Sequence, residues 1–239
     1  MFEKQKYPMV GRSSLVEVSR SHSLRCDSKQ AEKRFVELDN HLKNKETVYL
    51  GEFLPDPLVK GAQPVYLQEG EGIPVINTLS IQKMSINVGD CRYISEEDFN
   101  SLSPNRVLKK NDVLLTMDGG TSIGKSVLFE LEGEYTVDSH VAILRPRGIS
   151  PKALVFLLAS PIGQLQFQRF ESGASGQTAV TEEDLRRFVI PKSAIAKLED
   201  YIDQLAEERK RIESERIKLE LDEAKMWENF TKKVIDQIG

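Results

Sequence analysis

Apolar residues recur at spacings of three and four between Asp27 and Lys45, where Ala31, Phe35, Leu38 and Leu42 form one stripe. That period predicts an amphipathic helix ending near Asn44. The stretch VYLGEFLPDPLVKGAQPVYLQEGEGIPVINTLSI carries repeated Gly and Pro and only short apolar runs. It predicts loops and short strands. Val107 to Met117 ends in DVLLTM, a continuous apolar run suited to a strand buried on both faces. Asp118-Gly119-Gly120 marks a turn, and Ser126–Glu130 and Tyr135–Arg145 read as two further strands. Pro151–Ala159 and a segment opened by Ser160-Pro161 and running through Phe170 read as consecutive helices, the second with an N-cap and a proline at its first position. Thr181-Glu182-Glu183-Asp184 fits a capping box that opens a short helix. Phe188-Val189-Ile190 returns as a strand ended by Pro191. The pattern is α+β with mixed strands.

From Ser193 the pattern changes in kind. Leu198, Leu205, Ile212, Leu219 and Met226 fall at strict seven-residue intervals, one leg of a coiled-coil seam. The second leg is poor, because Arg209, Arg216 and Glu223 interrupt Ile202 and Phe230. This arrangement suits one narrow partner helix. The chain therefore divides into a polar, Ser-rich arm over 1–24, a mixed-sheet domain over 25–192 and a long coiled-coil helix over 193–239. The arm is expected either to be poorly ordered or to lie along the domain.

Composition narrows the function classes. Hydrophobic residues at 39% and charged residues at 29% fit a folded domain joined to a solvated helix. The net charge of −4 speaks weakly against nucleic acid, since phosphate neutralisation normally leaves a basic excess. Placement of Lys and Arg matters more than their sum. Cys26 and Cys91 share no C-x-x-C spacing, so neither a disulfide framework nor a zinc site is supported. With no apolar signal core and no membrane-length run, a cytoplasmic protein is expected.

A methyltransferase motif is missing: N/D-P-P-Y/F does not occur, and His22, His41 and His140 stand isolated, His140 reading as a core or edge residue on a strand. Pro55-Asp56 lies far from the acidic-x-Lys triplets of the tail. Gly119 to Ser126 does satisfy G-x-x-x-x-G-K-S. A phosphate loop must open a helix, whereas VLFELEGEYTV is β-branched and broken by Gly133. A hairpin between two core strands is expected there, with no nucleotide, metal or other cofactor.

NDVLLTMDGGTSIGK and ESGASGQTAVTEEDLRRFVIP, followed by the heptad tail, resemble the target-recognition domain and conserved helix of type I restriction-modification specificity subunits. The first resembles a D-V/I-L-L-T/S strand running into a D-G-T-x-G-K turn. The second resembles the closing segment S-G-S/A-x-x-Q-x-x-I/L-x-x-x-D-L-K/R-x-x-x-I-P, with Val180 as the aliphatic residue before the capping Thr181. GIPVINTLSIQKMSI is similar to a stretch that lies near DNA in that family, and SLRCDSKQAEKRF matches a lead-in only in part, with Gln30 and Ala31 where an aromatic is usual. The resemblance implies a non-catalytic half-subunit with one recognition domain and one helix. Its implied partners are double-stranded DNA, a DNA adenine methyltransferase subunit, a motor-nuclease restriction subunit, and a second copy bound through the C-terminal helix.

Candidate DNA contacts on this reading are Asn77, Ser80, Lys83, Lys125, Ser175, Gln177 and Thr178. Gln177 is the residue able to read adenine bidentately, and the small polar loop Gly173–Thr178 suits close approach to a phosphate backbone. The oligomerisation seam is Leu198, Ile202, Leu205, Ile212, Leu219 and Met226. Two rivals stay open: a protein-interaction adaptor on the same fold, and the detached recognition domain of a fused methyltransferase-nuclease.

Overall fold

The structure, a computed structural model, describes residues 28–68, 70–173 and 178–238. The arm over 1–24, Ser175 and Gln177 lie outside the described residues. The chain divides into two compact units, residues 1–199 and 200–239.

In chain order the first unit runs α1 (Lys33–Lys43), β1 (Thr47–Tyr49), β2 (Val59–Lys60), β3 (Ile73–Ile76), β4 (Arg92–Ile94) and α2 (Glu96–Asn100). It continues with β5 (Val113–Thr116), β6 (Ser126–Leu128), β7 (Thr136–Val137), β8 (Val141–Leu144), α3 (Pro151–Ala159), α4 (Pro161–Phe170), α5 (Glu182–Arg186) and β9 (Val189–Pro191). Helix α6 (Lys192–Ile238) begins in this unit and makes up the second.

Three sheets result. An antiparallel sheet has the order β2-β8-β5-β6, a mixed sheet has the order β4-β3-β7 with β3 and β7 parallel, and β1 pairs with β9. Strands β5 and β8 are buried along their whole length, as the run DVLLTM demands. Ile76, Val137, Leu114, Val141, Ile143 and Phe129 from the two larger sheets close over one core. The stripe Phe35, Leu38 and Leu42 packs α1 on Leu165 of α4. Phe188, just ahead of β9, stands edge-on to Phe167 at 4.8 Å and so ties α4 to the start of that strand.

The helix boundaries follow local chemistry. Ser150 and Ser160 cap α3 and α4 ahead of a proline. Thr181 Oγ1 accepts from Asp184 N at 3.1 Å and donates to the Asp184 carboxylate at 2.9 Å.

One strand expectation is corrected. Tyr135–Arg145 is two strands in different sheets, β7 and β8, because Asp138 turns the chain between them. Its carboxylate accepts His140 N at 2.9 Å and its carbonyl accepts Val141 N at 3.2 Å. His140 therefore sits in a turn, half exposed, and is neither core nor strand.

Described by itself, the second unit is helix throughout its described length. No helix among the described residues is long and apolar enough to cross a membrane.

Candidate nucleic-acid interface

The turn after β5 is the hub. Thr116 N donates to Lys125 O at 2.9 Å and Gly124 N to Thr116 O at 3.0 Å, so the strand returns directly as β6. Gly124 has φ +81°, and a Cβ there would lie 2.7 Å from the Phe167 ring. Gln164 Nε2 donates to its carbonyl at 2.9 Å, which pins the turn to α4. A β-hairpin cannot aim a helix N-terminus at phosphates, so the G-x-x-x-x-G-K-S string here is a turn and not a phosphate loop. Lys125 is partly exposed, and no ion pair engages it among the described residues.

The closing segment docks on this hairpin. Gly119 N donates to Thr178 O at 3.1 Å, and Val180 N to Met117 O at 2.9 Å. Ser172 and Ala179 exchange both backbone hydrogen bonds, at 2.8 and 2.9 Å. The two signature segments, some sixty residues apart in sequence, thus share one ladder.

A polar cluster adjoins that ladder. The Asp118 carboxylate accepts Lys60 Nζ at 3.1 Å and is also bonded to His140 Nδ1. Ser139 Oγ donates to Gln63 Oε1 at 2.7 Å. Asp138 lies beneath, and its burial, with the Asp118 charge adding, holds its carboxyl above the usual range. An Asp whose folded pKa is raised binds its proton more tightly in the native state. Its contribution is fully present below the unfolded pKa and is lost as pH rises through the folded value. Asp138→Asn keeps the acceptor for His140 N and removes the charge. Urea unfolding across pH is expected to show the variant gaining on the parent as pH rises past the carboxylate range. A parallel stability profile would contradict this.

The remaining candidates separate by orientation. Asn77 and Ser80 are buried: Asn77 Oδ1 accepts from Leu79 N at 2.7 Å and Ser80 N at 3.2 Å, and its amide donates to Asp90 O at 2.8 Å. Ser80 Oγ donates to Asn77 O at 2.9 Å. Both side chains hold the loop rather than facing solvent. Lys83 is exposed on the tip of that loop, and Thr178 is half-buried beside the hairpin.

Of the seam residues, Ile202 is buried and Leu198 partly so, while Leu205, Ile212, Leu219 and Met226 are 40, 55, 68 and 53% exposed. Sequence reasoning missed Lys60, Gln63 and Asp118. Only pairing β2 against β8 brings the first of these to the hairpin, and no local motif signals that.

No family model and no curated protein matches the chain. Solved structures do resemble it. A chain from the type I R-M system, in a structure of its complex assembly and conformational transition, shares 21% identity with a TM-score of 0.49, over 70% of this chain and 39% of that one. The HsdS subunit from Thermoanaerobacter tengcongensis shares 21% identity with a TM-score of 0.46, over 68% of this chain and 37% of that one. The S subunit of the Type-I restriction-modification system from M. genitalium shares 16% identity with a TM-score of 0.48, over 72% of this chain and 40% of that one. The chain spans about two fifths of the length of each of these solved chains.

Proposed function

We propose that this chain is a non-catalytic DNA-recognition subunit of the type I restriction-modification kind, carrying one recognition domain and selecting sites for a partner adenine methyltransferase. The observation that carries the reading is the shared ladder. The D-G-G-T-x-x-G-K turn and the closing segment that runs on through Thr178-Ala179-Val180 are the two stretches whose residues resemble that family, and they are hydrogen-bonded to each other at Gly119 and Thr178. A chance match of two separate strings carries no requirement that they meet.

From residue 200 onward the helix holds eleven acidic and eight basic residues, a net charge of −3, residues 25–192 also carry −3, and the arm over 1–24 carries +2. Affinity in the recognition domain therefore depends on where its cations are placed and not on their sum. Lys83, Lys125 and Thr178 are candidate contacts on described surface, and Ser175 and Gln177 belong to the same reading. The target base must leave the stack to be methylated, and the pocket that receives it belongs to the partner.

Two copies pair through the apolar stripe of α6 and restore a two-domain reader. A closed two-fold contact is the commonest way to cover such a stripe. The expected target is two inverted copies of one half-site around an unread spacer. Recovery of the tagged chain from its host should bring down a methyltransferase, and mapping methylated adenines with and without the gene should reveal that bipartite site. Unchanged methylation after deletion, with a non-methylating protein as the recovered partner, would favour the adaptor reading instead.

A further inference from the structure

Two open grooves lie side by side on the recognition domain. One, with a cavity volume of about 470 Å³, runs along the edge strand β2 past Lys60, Arg106 and Arg145. The other, of about 520 Å³, opens toward β7. Arg106 and Ser103 line both. We propose that this double groove seats the sugar–phosphate backbone of one DNA strand, with phosphate esters held by Arg106 at its centre and Lys60 at its hairpin end. The proposal rests on the DNA-recognition reading and deepens it.

The three cations differ in what already holds them. Arg145 is committed internally: its Nε and Nη2 donate to the two oxygens of the buried Asp112 carboxylate at 2.7 and 2.8 Å. It stiffens the wall and is no phosphate ligand. Arg106 is the reverse. Its backbone is fixed at both ends, N–H donating to Ser103 O at 2.9 Å and C=O accepting from Thr136 Oγ1 at 2.9 Å. No carboxylate engages its guanidinium among the described residues. A planar fork on a fixed backbone, facing two grooves, suits a phosphate bidentately.

Lys60 holds Asp118 through one contact at 3.1 Å and is 45% exposed. An exposed pair of that kind is worth little, so exchange for a phosphate oxygen costs little. Between the cations the first groove sets Leu58, Val59 and Ile143 beside the polar Ser103 and Asn105, and the Asp56 carboxylate on its wall is paired with Arg147 at 3.0 Å; Asp98 lines the second groove. Hydrocarbon for deoxyribose and polar groups for the phosphate esters thus share the first wall. The Lys60 end adjoins the hairpin ladder, so a strand in the groove would bring its bases toward the Gly119–Thr178 surface.

The shared chemistry is a phosphate ester, and its source is what the test must separate. Arg106→Ala, Arg106→Gln and Lys60→Ala would be made in the full chain and assembled with its methyltransferase. Affinity would be measured over a salt series on a duplex bearing the mapped site and on an unrelated duplex of equal length. Each variant is expected to weaken both duplexes by the same factor and to flatten the log K against log salt slope by about 0.9 per lost contact. The preference ratio stays unchanged. Unchanged slopes in a complex that still selects its site would overturn the groove and leave the recognition reading standing. Loss of all DNA binding by the parent complex would defeat that reading and this inference with it. Titration with inorganic phosphate and with ATP supplies the other arm: saturable binding lost in Arg106→Ala, with DNA slopes untouched, would assign the groove to a small phosphate ester and overturn the proposal.

Discussion

Gly61→Ala should destabilise the recognition domain by about 3 kcal/mol or more, while Gly89→Ala should stay within about 0.5 kcal/mol. A Cβ on Gly61 would stand 1.8 Å from the Val137 carbonyl oxygen and 2.4 Å from that of Asp138. Neither obstacle is a flexible side chain. Val137 is paired with Ile76 in β7, and Asp138 N donates to Ile76 O at 3.0 Å. The clash can be relieved only by moving a strand end or by parting β2 from the turn that bears His140. At Gly89 the nearest atom is Asn87 Oδ1 at 3.4 Å, an ordinary contact. Chemical denaturation of both variants checks this, since a domain has only about 5–15 kcal/mol to lose. Equal unfolding midpoints for the two would mean that β2 does not lie so close to β7.

Charging the stripe of α6 is expected to abolish selective DNA recognition while leaving the recognition domain folded. Leu205, Ile212 and Leu219 are all exposed, and each falls one heptad after the last. In the proposed two-copy assembly, Leu205→Glu, Ile212→Glu and Leu219→Glu together bury like charges against each other in the seam. Linking two readers raises avidity by about 10²–10⁴, and separating them should lose a comparable factor on the bipartite site. Sedimentation would show the parent as a dimer and the triple variant as a monomer with an unchanged near-ultraviolet spectrum of its domain. A parent that stays monomeric at high concentration, alone and with its partner, would end the two-copy scheme. The covering helix would then have to come from another chain.

Elements governed by local rules were legible in the sequence. Helix α1 follows from Phe35, Leu38 and Leu42, and the starts of α4 and α5 from Ser160-Pro161 and Thr181. The period of the tail yielded α6 to within a residue of its start. Strand β5 was placed correctly but drawn too long, because a continuous apolar run cannot report where the hydrogen-bonding partner ends.

Long-range pairing was not legible. Tyr135–Arg145 looks continuous because Val137 and Ile143 are both apolar, yet each belongs to a different sheet. Only the buried Asp138 between them marks the break. For the same reason polarity misled at Asn77 and Ser80: a polar pair between apolar runs resembles a contact surface, and here it is the internal brace of a turn. Lys60 and Arg106 carry no motif, and their shared groove exists only once β2 lies beside β8.

That brace has a consequence for how the surface can vary. Asn77 ties to Asp90 and Asn87 N ties to Ser80 O, while Ile81 and Ile86 pair across the stem. The loop is therefore closed below its tip, and Gln82, Lys83, Met84 and Ser85 form a cap supported from beneath. Met84 sits at φ +62°, a conformation that a non-glycine residue keeps only when its flanks are fixed. Residues in such a cap can be exchanged without disturbing the sheets, which makes this a replaceable head on a permanent stem: new tips can be tried one at a time while the fold beneath them is inherited unchanged.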